Sequence, residues 1–405
     1  MDLYYNNVRT LSEEELQQAF LQNASVSYSI LEMHPPSKPM KFEPACVGEA
    51  ERVDAQVLNP HTGEILHVSN IVYEKRHDGL PPQRAYGVGR KLMEAIYGCI
   101  RICTIFEIRN DMQVPFAVTE MKAAVKVLSW EKIRSLNHAE NPINEVAALQ
   151  HVSQNPHENV MSALDILQDE EYLLIFMPYY SSGSLYDFVS RAGHFPERVA
   201  RYWFTQILEG LSHLQRLGIC HRDLSLENIC IDDYTNSAII DLGMCLRIPY
   251  INESSGGDVD VTAGTLRRLM TAAGTCGKIW YMSPEIIRND DMFDGFAVDL
   301  WGAAIILFIM LTGRPPWPFA SRQAAEFRVV AIDPVPDYPN ENYGIGRLLR
   351  EMGKEISQQA SDLLQRMLRN NPRERLSLLE ILQHPWLQEE SEHEPMADPD
   401  DEWRR

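Results

Sequence analysis

The run His221-Arg222-Asp223-Leu224-Ser225-Leu226-Glu227-Asn228, followed beyond a short apolar stretch by Asp241-Leu242-Gly243, constrains this chain more than any other feature. The run contains a carboxylate, Asp223, that could accept a proton, and Asn228 and Asp241 carry oxygens that could bind a divalent cation. Transfer of a phosphoryl group requires little more of a protein than a positioned nucleophile and cations that neutralise charge on the phosphate oxygens. These residues therefore predict phosphoryl-transfer chemistry, in a fold that brings the two segments together.

A lysine in a strand and a glutamate on the following helix form the next candidate pair. Residues 123–128 read as a short β-strand that is apolar except for Lys126, and a buried lysine is costly unless an anion meets it. Asn141-Pro142 provides the N-cap and first-turn proline of a helix that places Glu145 on the same face as Leu149. The pattern predicts a Lys126–Glu145 ion pair; the alternative is an exposed lysine and a surface glutamate.

Further segments follow downstream in a fixed order. Tyr281-Met282-Ser283-Pro284-Glu285 precedes Asp299-Leu300-Trp301-Gly302, which opens a long apolar helix, and Arg375 comes later. Together with the upstream segments they resemble the H-R-D-L-x-x-x-N, D-F-G, strand-lysine and A-P-E motifs of eukaryotic-type protein kinases, with leucine in place of the D-F-G phenylalanine.

The resemblance implies an α+β, two-lobed protein kinase fold, with a small β-rich N-lobe that has one main helix and a larger α-helical C-lobe. It implies that Asp299 holds the backbone of the catalytic loop and that Arg375 pairs with Glu285 as a structural contact. The motifs come closest to those of calmodulin-dependent-like kinases, in which the residue that matches Glu227 meets an arginine of the substrate.

The same resemblance implies ATP and Mg²⁺ as cofactors and a role for each site residue. Asp223 would orient the substrate hydroxyl and accept its proton, and Lys126, held by Glu145, would bind the ATP phosphates. Asn228 and Asp241 would bind Mg²⁺. Five positions would surround the adenine ring between the lobes, and for any one of them the alternative is ordinary core packing: Ile100, Ala124, Met177, Tyr179 and Cys230.

The loop that covers the phosphates departs from the family pattern. Aligned on Gly98 and Ile100, the expected G-x-G-x-x-G-x-V reads Met-Glu-Ala-Ile-Tyr-Gly-Cys-Ile from position 93. Met93 and Ala95 replace glycines that let backbone N–H groups approach the phosphates closely. We therefore expect a stiffer loop, held farther from the nucleotide. The long spacing to the strand lysine also predicts an insertion around residues 109–119.

A reciprocal exchange marks the catalytic centre. Ser225 occupies the position that Ser/Thr kinases fill with a lysine near the γ-phosphate, and Lys278 occupies the position of a threonine in the substrate-docking loop. Each loop carries the other's chemistry, which predicts that Lys278 reaches back over Asp223 as a catalytic cation. The alternative is two unrelated changes, with Lys278 pointing into solvent.

The resemblance implies transfer of the γ-phosphoryl group of ATP to hydroxyls of protein substrates. Ser and Thr are expected as acceptors rather than Tyr, because the catalytic loop lacks the A-A-R and R-A-A strings of tyrosine kinases. One alternative is a pseudokinase scaffold that binds protein partners without phosphoryl transfer, which the altered glycine loop favours. Another is a small-molecule phosphotransferase, which should lack Glu285 and Arg375.

Composition narrows the partners and the compartment. A net charge of −20 argues against bulk binding of nucleic acid, which requires a cationic surface. Seven scattered cysteines indicate free thiols in a reducing compartment, so we expect a cytoplasmic protein, with the nucleus as a second possibility. The sequence shows no apolar run of the roughly 18 residues that a membrane span requires.

Four regions follow from the motif positions. Residues 1–84 would be an N-terminal extension of unknown role and unknown partner, with a helix that begins at Ser12 and a strand at 64–68. Residues 85–178 would form the N-lobe and residues 179–387 the C-lobe. The acidic residues 388–405 would form a disordered tail.

Overall fold

The computed structural model describes residues 31–78, 80–109, 113–136, 138, 140–250, 267–333 and 341–389. It has a β-rich N-terminal lobe with one long helix and a mainly helical C-terminal lobe, so the predicted two-lobed fold is confirmed. The helix predicted to begin at Ser12 and the acidic tail beyond residue 389 lie outside the described residues.

Seven strands of the N-lobe close into a barrel, in the order β1-β2-β3-β4-β5-β7-β6. The strand predicted at residues 123–128 is confirmed as part of β5, and the strand predicted at 64–68 opens β2. The bounds are β1 Gly48–Leu58, β2 Ile65–Glu74, β3 Ala85–Ala95, β4 Gly98–Ile108, β5 Phe116–Ser129, β6 Asp165–Gln168 and β7 Tyr172–Pro178.

The first two strands belong to the N-lobe, so the boundary predicted at residue 84 is wrong as a structural division. β2 pairs with β3 at Ile71 and Gly87, and β1 pairs with β6 at Gly48 and Leu167, which closes the barrel. Each strand of a barrel needs only one buried face, so its apolar residues alternate with polar ones. Residues 48–74 therefore carry no continuous apolar run that marks them as core.

The residues predicted as an insertion lengthen a hairpin instead. β4 has 11 residues and β5 has 14, and the N–H of Arg109 donates to the carbonyl of Pro115 (2.8 Å) at their connection. The far end of this hairpin packs in a small core of its own with β1, β2 and β3, formed by Val57, Ile71, Ala85, Phe106 and Phe116.

The helices and short strands surround one large core. Helices α1 (Trp130–Ser135) and α2 (Pro142–Gln154) complete the N-lobe. The C-lobe helices are α3 Leu185–Ala192, α4 Glu197–Arg216, α5 Pro284–Arg288, α6 Gly295–Thr312, α7 Ala325–Phe327, α8 Gly344–Met352, α9 Gln358–Met367, α10 Leu378–Leu382 and α11 Pro385–Gln388. The short strands are β8 Ile219–Cys220, β9 Ile229–Ile231, β10 Ser237–Ile239, β11 Leu246–Arg247, β12 Met270–Thr271 and β13 Met292–Phe293.

Helix α6 is long and strongly apolar. It is 18 residues long with a mean hydropathy of 2.0, enough by length and composition to cross a membrane, although Asp299 interrupts its apolar run. The helix lies inside the C-lobe, where Trp301 is fully buried and packs on Trp317. The core of a large helical lobe therefore accounts for its composition.

Candidate active site

A buried carboxylate on α6 holds the backbone of residues 221–228, the catalytic loop. Oδ2 of Asp299 accepts the backbone N–H of His221 (2.7 Å), and its Oδ1 accepts that of Arg222 (2.8 Å). Burial raises the pKa of Asp299 to about 6, against the opposing effect of the neighbouring His221 and the two N–H donors. Arg222 has a φ of 68°, a conformation that the two hydrogen bonds help to hold. The placement matches the role implied for Asp299.

Asp223 and Asn228 lie together at the centre of the site. The amide Nδ2 of Asn228 donates to the backbone carbonyl of Asp223 (2.8 Å) and to its Oδ2 (3.0 Å). With both amide hydrogens directed at Asp223, the amide oxygen of Asn228 is the atom left to bind a cation. The loop thus presents a carboxylate and a carbonyl-type oxygen side by side.

Asp241 adds an ionised carboxylate to this cleft. Its φ is 65°, and its Oδ1 accepts the N–H of Gly243 (3.2 Å). Burial alone would raise its pKa, but Lys126, His221 and the Gly243 N–H hold the pKa of Asp241 below its ordinary value. Oxygen ligands from one carboxylate and one amide fit Mg²⁺, which usually keeps several of its waters and shares the phosphates of a substrate.

The predicted pairing of Lys126 with Glu145 is present. Nζ of Lys126 lies 2.9 Å and 2.8 Å from the two carboxylate oxygens of Glu145, and 3.7 Å from Asp241. Burial opposes the charge on Lys126, but Glu145, Asp241 and Glu140 together raise its pKa above the ordinary value. Burial acts on Glu145 in the opposite sense and raises its pKa. Two close oxygens around one ammonium favour the ionised pair.

Glu140 is a site residue that the sequence analysis missed. Its Oε1 lies 3.1 Å from Nζ of Lys126, and its side chain is only 12% exposed. No motif includes position 140, and its acidic side chain reads as the ordinary preference for negative charge near a helix N-terminus. Only the fold of the chain brings it to the lysine.

Three of the five positions predicted to surround adenine pair within the sheet that carries Lys126. Ala124 pairs with Met177 across β5 and β7, and Ile100 pairs with Lys126 across β4 and β5. Four of the positions are half-buried: Ile100, Met177, Tyr179 and Cys230. In β9, the residues before and after Cys230 are both fully buried. Burial raises the pKa of the Cys230 thiol to about 12, so it remains protonated and apolar in character.

A tight hairpin replaces the glycine-rich loop. Met93 pairs with Ile100 and Ala95 with Gly98, so strands β3 and β4 continue to a two-residue connection, Ile96-Tyr97. Tyr97 folds inward and is 3% exposed. A Cβ at Gly98 would lie 1.8 Å from the carbonyl oxygen of Val127, so this one retained glycine is required by the close approach of two strands.

Lys278 reaches back to the catalytic loop. Its Nζ donates to Oγ of Ser225 (2.8 Å) and lies 3.5 Å from Oδ2 of Asp223, while its backbone N–H donates to Oδ1 of Asp223 (3.0 Å). The alternative of two unrelated changes has the Lys278 side chain pointing into solvent, whereas the structure places its Nζ against the catalytic loop. The exchanged lysine and serine are in direct contact.

Glu285 and Arg375 form the buried pair that the motifs predicted. The guanidinium donates to both carboxylate oxygens at 2.7 Å and 2.6 Å, and it stacks on the ring of Trp301 at 4.7 Å. Both side chains are almost fully buried. The pair joins the segment after the catalytic cleft to the far end of the C-lobe.

Comparison with known proteins agrees with this geometry. The model of the protein kinase domain family matches residues 113–387. The chain is 30% identical over 296 residues to the probable serine/threonine-protein kinase fhkD of Dictyostelium discoideum, which covers 70% of this chain and 35% of that protein. It is 30% identical over 297 residues to the serine/threonine-protein kinase cds1 of Schizosaccharomyces pombe (70% of this chain, 58% of that protein).

A third relative is Calcium-dependent protein kinase 8 of Arabidopsis thaliana, at 28% identity over 306 residues, with 75% of this chain and 49% of that protein covered. The chain thus spans less than two thirds of the length of each of these three relatives. The family match begins at residue 113, after the β3–β4 hairpin that replaces the glycine-rich loop. With the catalytic motifs, the fold and the family match in agreement, this chain belongs to the protein kinase family.

Proposed function

We propose that this protein transfers the γ-phosphoryl group of ATP to Ser or Thr hydroxyls of protein substrates. One set of contacts carries the proposal. Asp241 lies 3.7 Å from Lys126 of the Lys126–Glu145 ion pair, and the backbone N–H of Ile240, the residue before Asp241, donates to the carbonyl of Asn228, which contacts Asp223. Kinase catalysis requires the lysine pair and the metal-binding aspartate to be in place together. The names of the relatives support the choice of serine and threonine over tyrosine.

Asp223 accepts the proton of the substrate hydroxyl. The hydroxyl oxygen bonds to the γ-phosphorus of ATP as the bond between that phosphorus and the bridging oxygen breaks, and ADP leaves. Lys126 orients the phosphates, and Glu145 holds Lys126. Asn228 and Asp241 would hold Mg²⁺, which supplies charge neutralisation on the phosphate oxygens. The five cleft positions around Ala124 would bind the adenine ring.

Incubation of the purified chain with radiolabelled ATP, Mg²⁺ and a protein mixture tests this function. Phosphoamino-acid analysis should then show phosphoserine or phosphothreonine. Absence of transfer, with nucleotide or partner binding retained, would favour the pseudokinase scaffold. Phosphorylation of small molecules alone would favour the other class of phosphotransferase.

Protein substrates and a cytoplasmic location belong to the same proposal. All seven cysteines are unpaired, which suits a reducing compartment. Expression of a fluorescent fusion in cells tests the location, and a secreted or membrane-bound signal would contradict it. A nuclear signal would select the second possibility.

We also propose that Lys278 supplies the cation that the catalytic loop lacks. Its contact with Ser225 supports this, because a positive charge held beside the reacting hydroxyl acts without reorganisation. In this arrangement Ser225 positions the ammonium group. Lys278 would then stabilise charge on the transferred phosphoryl group and leave nucleotide binding to Lys126.

Lys278→Ala should therefore reduce kcat more than it weakens ATP binding. Ser225→Lys combined with Lys278→Thr should recover activity that each single change loses. Residues in contact typically couple by about 0.5–3 kcal/mol in such a cycle. Initial rates of the four proteins measure the coupling, and additive single effects would show that the two residues do not act as an exchanged pair.

A further inference from the structure

Glu140 brings a third carboxylate to the lysine that would bind phosphate. Oxygens of Glu140, Glu145 and Asp241 all lie within 4.8 Å of one another, with Nζ of Lys126 in contact with each residue. Glu145 orients the lysine from α2, and Asp241 belongs to the metal-binding set. Neither role applies to Glu140, which lies before the helix and adds negative charge where the phosphates of ATP would bind.

Glu140 is held in this place by two other parts of the molecule, the β3–β4 hairpin and the turn at Gly243. The hydroxyl of Tyr97, at the tip of the β3–β4 hairpin, donates to the carbonyl of Glu140 (2.8 Å). The N–H of Asn141, the N-cap of α2, donates to the carbonyl of Gly243 (3.1 Å). A Cβ at Gly243 would lie 2.7 Å from Cγ of Glu140. The carboxylate therefore sits on a fixed backbone, packed against the turn that follows Asp241.

We propose that Glu140 is a built-in competitor for the phosphate subsite at Lys126. A polyphosphate binds there only when the Glu140 carboxylate withdraws from Nζ, because like charges placed side by side repel strongly. The paired hairpin adds to the effect, since Met93 and Ala95 replace the glycines that bring N–H donors to the phosphates. The inference rests on the proposed nucleotide function of the cleft and makes Glu140 a determinant of selectivity between adenosine and ATP.

Calorimetric titration of the full chain with MgATP and with adenosine tests the inference without requiring catalysis. Glu140→Gln keeps the shape and removes the charge, so its Kd for ATP should fall about tenfold, and its Kd for adenosine should not change. Glu131→Gln, an exposed glutamate in the first turn of α1, is the matched control and should alter neither constant. Glu145→Gln should act in the opposite direction and weaken ATP binding.

Tyr97→Phe supplies a second variant that leaves every charge in place. It removes the hydroxyl donor to the Glu140 carbonyl, which should loosen Glu140 and tighten ATP binding in the same direction. Unchanged or weaker ATP binding in Glu140→Gln would overturn the inference while leaving the kinase function intact. Binding of ATP by Glu140→Gln alone, with none by the natural chain, would support the inference and count against the proposed function. Binding by neither protein would overturn both.

A second, independent observation concerns residues 31–47, here called the N-terminal brace. The backbone of Ser37 exchanges two hydrogen bonds with the residues on either side of Met270 in β12, at 3.0 Å and 2.9 Å. The N–H of Met40 donates to the carbonyl of Arg247 in β11 (3.0 Å). The brace thus adds one rung to each of two strands in residues 241–285, here called the activation segment.

The ends of the brace are anchored on both lobes. Glu32 pairs with Arg373 of the C-lobe, next to the fully buried Leu31. At the other end, the N–H of Cys46 donates to the side chain of Gln150 on α2 (2.9 Å), and the Gln150 amide donates back to the Cys46 carbonyl. These contacts link the lower lobe to the helix that carries Glu145.

We infer that the N-terminal brace positions β11 and β12 of the activation segment as one unit. β11 pairs with β8, which leads directly into the catalytic loop, and β12 leads toward the loop that carries Lys278. One consequence of the inference, that docking of a protein substrate depends on the brace, rests on the proposed function. Its structural content can be measured in the free protein.

Amide hydrogen exchange in the full chain tests this inference, with the change made at the residue that bonds β11 and the measurement made at β12. Met40→Pro removes the donor to β11, and exchange around Thr271 in β12 should become roughly tenfold faster, as loss of about one hydrogen bond would allow. Glu43→Pro alters the same segment at an exposed position away from Ser37, for which the described residues include no backbone partner, and should leave Thr271 protected. Exchange in α6 should not change in either variant.

Ser37→Ala provides a milder variant, because it removes only the hydroxyl that accepts from Arg268 (3.0 Å). It should raise exchange around Thr271 by a smaller factor than Met40→Pro. Unchanged exchange in Met40→Pro, equal acceleration in Glu43→Pro, or acceleration that extends to α6 would each overturn the inference. Hydrogen exchange is measured without phosphoryl transfer. The result therefore tests the inference even if the proposed function is wrong.

Discussion

Asp223→Asn should lower kcat for phosphoryl transfer by about 10²–10⁴-fold, the usual cost of losing a general base. The asparagine retains an oxygen to accept from Asn228 or from the backbone of Lys278, so the loop should keep its shape. What the variant loses is the group that takes the proton of the substrate hydroxyl. Initial rates at saturating ATP measure the effect.

Asp241→Ala tests the metal-binding part of the same site. Loss of this carboxylate should lower activity and raise the Mg²⁺ concentration that gives half-maximal rate, whereas Asp223→Asn should leave the Mg²⁺ dependence unchanged. Asp291→Asn, at an exposed position on the C-lobe, is the control for a change of one charge. A full rate in Asp223→Asn would show that the proton goes elsewhere, and an unchanged Mg²⁺ requirement in Asp241→Ala would remove that residue from the metal site.

Arg375→Met should destabilise the protein by about 3–5 kcal/mol, since it leaves the Glu285 carboxylate buried without its partner. The guanidinium donates to both oxygens of Glu285 and stacks on Trp301, and both members of the pair are shielded from water. Unfolding in guanidinium chloride, followed by tryptophan fluorescence, measures the change. The effect falls on stability, and nucleotide affinity of the folded fraction should be unaltered.

The double variant Glu285→Gln with Arg375→Met should be less destabilised than Arg375→Met alone, because no uncompensated charge remains. Arg347→Met is the control: its partner Glu351 lies one turn away on the exposed face of α8, and the loss should stay below about 1 kcal/mol. Equal losses for the buried and the exposed pair would show that the Glu285–Arg375 contact does not hold the C-lobe together.

The chemistry of the catalytic centre was predictable from the sequence because it depends on residue types at short, fixed spacings. Asp223 and Asn228 lie on one loop, so their separation along the chain already limits their separation in space. The pairing of Lys126 with Glu145 was also predictable, since a lysine in an apolar strand requires an anion and the next helix offers one on its buried face. The exchange of Ser225 and Lys278 was visible only against a family pattern.

Tertiary structure alone decided how distant segments complete this site. Residues 48–74 close the N-lobe barrel through backbone pairing with β3 and β6, and backbone hydrogen bonds leave little trace in the identity of the side chains. Glu140 meets Lys126 because the hairpin tip, the start of α2 and the turn at Gly243 converge there. The sequence by itself determined which groups could perform the chemistry, since side-chain type is local information. Contacts between residues far apart in the chain decided the rest. They placed Glu140 beside Lys126 and the N-terminal brace beside β11 and β12.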